Sequence, residues 1–143
     1  MKENINALDE INKGVTMGIA AIDIILPRIK NNHFKSLVKK QYKDYEKINK
    51  KIEKIYNKYD DTKEPHKVGV IAKTMTAYGV DIKTIMDDTD SKIAELLIKG
   101  TNMGIIEGKR IYNNKKMDDK VLKIVDTYIN MQECIVEDLK EFL

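Results

Sequence analysis

Two histidines, one cysteine and 23 carboxylates are the groups with which this 143-residue chain would do chemistry. A di-metal centre in a helical bundle takes a Glu from each of two helices and a Glu-x-x-His pair from each of the other two, because residues three apart share a helix face. The residues three places before His33 and His66 are Lys30 and Lys63, so that pattern is absent. The metal chemistry left open is a carboxylate-only centre, oxidoreductase or storage in kind, drawn from Glu95, Glu107, Glu133 and Glu137. Solvated rim carboxylates are the other reading of the same four. Cys134 follows Glu133, and acidic neighbours raise a thiol pKa, so it reads as a partly buried structural cysteine. There is no Gly-x-Ser-x-Gly, no phosphate-cradling glycine loop and no His-Glu-x-x-His. The sequence therefore names no catalytic residue and no cofactor, and it leans away from an enzyme.

The glycines say more. Gly14 and Gly18 are four apart, as are Gly100, Gly104 and Gly108. A glycine inside a helix costs about 1 kcal/mol relative to alanine, so five such positions need a compensation. Spacing of four places each set on one helix face, which predicts either close packing of the first and third helices or a groove for a ligand or a second subunit. Thr16, Thr101 and Asn102 stand beside these glycines and need hydrogen-bond partners if buried. The heptads 13–19 and 99–105 agree at five of seven positions, which fits a pair of related helical hairpins.

The second helix carries a basic face of Lys35, Lys39, Lys43, Lys47, Lys50 and Lys54. Three readings compete for it: a solvated face, a dock for an acidic helix such as the fourth helix of the same chain, and a weak polyanion or nucleic-acid site acting through counterion release. Only two of the 26 basic residues are arginine, and base readout favours the arginine fork, so nucleic acid is not the expected partner.

The elements that position these residues follow from apolar spacing. Ile5, Leu8, Ile11, Val15, Gly18, Ile22 and Leu26 make one helical stripe, which Pro27 ends. Asn32 is the expected cap of a second helix, whose stripe runs Phe34, Val38, Gln41, Tyr45, Ile48, Ile52, Ile55 and Tyr59. Residues 60–88 form a long connection in which 68–78 predict a short amphipathic helix stopped by Gly79. The cap cluster 88–91 opens a third helix over 89–113, apolar on more than one side. Asp118 caps a fourth, striped by Val121, Val125, Tyr128, Gln132, Ile135 and Leu139. Short turns join helices one and two, and three and four. The prediction is an all-α fold: one domain over 1–143, a four-helix bundle of two antiparallel hairpins joined by a long crossover containing a short helix.

Composition agrees. Apolar residues make up 42% and the net charge is +3, a globular balance. Two prolines, two phenylalanines and no tryptophan speak against a β-sandwich. The most apolar run, 15–26, is too short to span a membrane and contains Asp23. No export signal is apparent and the lone thiol excludes an internal disulfide, so a cytoplasmic location is expected.

The segment 86–108 (MDDTDSKIAELLIKGTNMGIIEG) resembles the third helix of a family of uncharacterised small bacterial proteins of the ferritin-like superfamily. The helix layout of nearly the whole chain is similar too. The resemblance implies a ferritin-like four-helix bundle and no assigned activity. The best-known members of the superfamily bind two irons, and this chain lacks their histidines. The function expected is thus non-catalytic: binding, or self-association as a homodimer through the apolar faces of the first and third helices.

Overall fold

The computed structural model describes residues 2–60, 65 and 87–143. Four helices form where the apolar period is 3.6: α1 Lys2–Ile25, α2 Asn32–Tyr56, α3 Asp90–Asn114 and α4 Asp119–Leu139. The described residues contain no strand. The predicted short helix over 68–78 and His66 lie outside the described residues.

Local chemistry sets the helix ends. Pro27 has no amide proton to continue α1, and the chain tightens into a 3₁₀ turn, Leu26–Arg28. The cap of α2 is Asn31, not the expected Asn32: its Oδ1 accepts the Phe34 N–H at 3.0 Å. Thr89 caps α3 by accepting the Lys92 N–H at 3.3 Å. Asp118 occupies the cap position of α4 but makes no side-chain cap bond. A second 3₁₀ turn, Lys140–Phe142, closes the chain, and Phe142 stacks on Phe34 with ring centroids 4.4 Å apart.

The closest packing is α3 on α4 and α1 on α2. Two polar ties fix how the hairpins meet. At one end the Asp90 carboxylate accepts the N–H groups of Lys30 and Asn31, each at 2.9 Å, so α3 starts beside the α1–α2 turn. At the other end Asn4 Oδ1 accepts the Asp118 N–H at 2.8 Å, which places the α3–α4 turn beside the start of α1. The four helices therefore run up, down, down, up. The connection after α2 starts at the end of the bundle opposite to the one where α3 begins.

The expected stripes are the core. Leu8, Ile11, Val15, Ile22, Phe34, Val38, Ile52, Val125, Ile129 and Leu139 are buried in one cluster. The third helix differs from the rest. Ile93, Ala94 and Ile111 are buried, but Met103 and Ile106 are 41% and 51% exposed on its outer face. No described helix is long and apolar enough to cross a membrane.

Candidate functional site

The stripes of α2 and α4 each carry a glutamine and a tyrosine one turn apart, Gln41 with Tyr45 and Tyr128 with Gln132. All four are buried. Tyr45 Oη donates to Gln132 Oε1 at 2.6 Å, and Gln132 Nε2 donates to Tyr128 Oη at 3.0 Å. This chain ties α2 to α4 through the centre of the bundle.

The glycines make room for it. A Cβ on Gly18 would lie 2.6 to 2.9 Å from the Tyr45 ring. One on Gly14 would collide with the Tyr128 hydroxyl, and one on Gly104 with the Gln132 amide. Gly108 faces Ile129 in the same way, at 2.8 Å. The space left by the missing side chains is thus filled by α2 and α4. α1 and α3 are also in contact, though less extensively than α1 with α2 or α3 with α4.

Between α1 and α3 the structure instead leaves a line of hollows. One of about 110 Å³ is bounded by Gly14, Met17, Met103, Gly104 and Gly108. Further along, where α1, α2 and α3 meet, a second cavity of about 40 Å³ is bounded by Gly18, Ile22, Gln41, Tyr45, Leu97 and Gly100. A single water needs roughly 10–15 Å³ by this measure, so the cavity exceeds one water site. Its walls are mostly apolar, and Thr101 lies among them with its hydroxyl donated to the Leu97 carbonyl at 2.7 Å.

Gln41 is the exception to polar satisfaction. It is 3% exposed, and its Nε2 has no hydrogen-bond partner among the described residues. The two glutamines differ for a geometric reason. Gln132 has Tyr128 one turn before it. Gln41 has Leu37 at that place, and Tyr45, one turn after, gives its proton to Gln132. An unmade bond to a buried amide costs about 1–3 kcal/mol.

The remaining buried polar groups are paired. Asn12 Oδ1 accepts from Asn49 Nδ2 at 2.8 Å, and Thr16 Oγ1 donates to the Asn12 carbonyl at 3.0 Å. Tyr56 Oη donates to Asp9 Oδ2 at 3.2 Å, and burial together with that carboxylate pushes its pKa up to about 12. Asn102 is exposed.

The four candidate metal carboxylates are not brought together. Glu95 pairs with Lys92 at 2.6 Å and Lys99 at 3.4 Å, and Lys92 first among them holds its carboxyl below the usual range. Glu107 pairs with Arg110, Glu133 with Lys109 and Glu137 with Lys140. No group of three potential metal ligands forms among the described residues. Cys134 is exposed, a correction to the expected partial burial: Gln132, Ile135 and Val136 turn inward and leave positions 133 and 134 outside. His33 sits against the Phe142 ring at 5.7 Å.

Comparison with protein-family models, with curated proteins and with solved structures finds no match to this chain.

Of the basic face, Lys39, Lys43, Lys47, Lys50 and Lys54 are exposed and Lys35 is half-buried. This face does not dock on α4 of the same chain. The stripe that meets α4 is the apolar one, and at its lower end lysines of α4 join those of α2. The sequence marked Gln41 and Gln132 as stripe residues and Gly18 and Gly100 as special. It gave no sign that one amide goes unpaired, because that depends on which helix each tyrosine reaches.

Proposed function

We propose that this chain is a non-catalytic, ferritin-like bundle that acts by binding, and that it holds a small uncharged ligand in the cavity between α1, α2 and α3. The observation that carries the reading is the buried, unpartnered Gln41 amide at the wall of that cavity. A hydrogen-bond acceptor placed against Nε2 would recover the missing bond. Ile22, Ile25 and Leu97 would cover the rest of such a ligand with hydrocarbon. The up-down-down-up course of the helices supports the ferritin-like reading, and the lone thiol fits the cytoplasm.

The test is a ¹H–¹⁵N titration with neutral acceptors of three heavy atoms, acetonitrile and dimethyl ether, beside propane, a hydrocarbon of equal size. The expected result is movement of the Gln41 side-chain amide and of the Gly18, Gly100 and Thr101 backbone signals with the acceptors only. A persistent water cross-peak on the Gln41 amide, unmoved by any probe, would show the cavity to be a hydration site and remove this function. A second reading, self-association through α1 and α3, is favoured by the exposed Met103 and Ile106. Its test is sedimentation, set out below.

A further inference from the structure

Five lysines meet at one end of the bundle. Lys51 and Lys54 come from the last turns of α2, Lys58 from the turn after it, and Lys120 and Lys123 from the first turns of α4. The two helices run antiparallel, so the end of one lies beside the start of the other. Between them a groove of about 260 Å³ is bounded by Lys51, Lys54, Lys120 and Lys123 over Ile55 and Ile124.

Carboxylates lie in the same turns, at Glu53, Asp60, Asp118 and Asp119. None of the five lysines pairs with a carboxylate among the described residues, and the nearby Asp118 is engaged by Tyr59. Lys58 and Lys120 are in contact, and that contact holds the Lys58 ammonium pKa below its ordinary value, with Lys54 adding to the effect. Lys120 also stands near the positive end of the α4 dipole, where a cation is disfavoured. A multivalent anion would relieve the repulsion at every lysine at once.

We propose that this groove binds a compact polyphosphate, either the triphosphate of a nucleotide or a short inorganic chain. Lysine acts on phosphate as a point charge and needs no bidentate geometry, which suits a site without arginine. The lysines converge from two helices on one groove. An extended nucleic-acid backbone would instead be expected to follow the line Lys39, Lys43, Lys47 and Lys50 along α2.

The experiment is calorimetric titration of the full chain at low salt with sodium tripolyphosphate, with ATP and with duplex DNA. The variant Lys120→Gln/Lys123→Gln removes two charges from the groove. Lys39→Gln/Lys43→Gln removes the same charge elsewhere on α2. All four side chains are exposed, and circular dichroism checks that both variants fold. The expected result is one anion bound per chain, weakened about tenfold or more by the groove variant and less than about twofold by the control. Equal affinity for the two small anions assigns the site to the phosphate chain, and tighter ATP binding assigns it to a nucleotide. No binding, equal weakening in both variants, or tighter binding of DNA than of either small anion would overturn the proposal.

Discussion

A glycine and a tyrosine decide the centre of this bundle between them. The Tyr45 ring lies where a Gly18 side chain would be, and its hydroxyl is held by Gln132. Gly18→Ala gains about 1 kcal/mol in helix propensity, but the Tyr45 ring, tethered by its hydroxyl to Gln132, must shift to make room. Overpacking costs about 1–3 kcal/mol, so the net change is a loss, read as a fall in the thermal midpoint. The two glutamines give opposite signs. Gln132→Leu leaves the buried Tyr45 hydroxyl without its acceptor and costs about 1–3 kcal/mol in urea unfolding. Gln41→Leu removes an Nε2 that has no hydrogen-bond partner among the described residues, and the free protein should become more stable. A loss at Gln41 as large as that at Gln132 would mean that its amide is satisfied.

At the scale of the element, a few polar ties hold what the apolar stripes bring together. Asp90 joins the first turn of α3 to the α1–α2 turn, with the exposed Lys30–Asp88 ion pair at 3.3 Å beside it. Asp90→Asn removes the charge and one acceptor, and it should cost about 1–2 kcal/mol. Amide exchange at Lys30 and Asn31 should then quicken before that of the α1–α2 core. Tyr56 ties the end of α2 to α1 through Asp9. Its pKa is raised to about 12, so the native state keeps this proton after the unfolded chain, near pH 10, has lost it. The stability that depends on this proton is complete below about pH 10 and falls as pH rises through 12. Tyr56→Phe should flatten that part of the stability–pH curve, which chemical denaturation at stepped pH measures. The four helices were legible at this scale because a 3.6 period needs no knowledge of partners. The Asn31 cap was missed by one residue because two asparagines in a row offer the same acceptor.

For the whole molecule, α3 is the helix with the fewest buried residues among the described ones. Met103 and Ile106 are neighbours on its outer face. If a second copy covers them, sedimentation velocity should show a concentration-dependent dimer that Ile106→Glu abolishes without lowering the thermal midpoint of the monomer. A single 16.5 kDa species at all concentrations would end the self-association reading. The periodicity of hydrophobic residues determined the helices, their order and the stripes that α1, α2 and α4 bury, because those properties are local and repeat along the chain, whereas α3, apolar on more than one side, had no single stripe to read. Only the tertiary structure decided what lies opposite each face. It seated the tyrosines on the glycines, brought Glu133 of α4 to Lys109 of α3, and gathered lysines from two helices into one groove. It also left the Gln41 Nε2 without a partner among the described residues. Each of these outcomes depends on distances between residues up to 114 positions apart, as between Asn4 and Asp118, and no spacing within one helix encodes them.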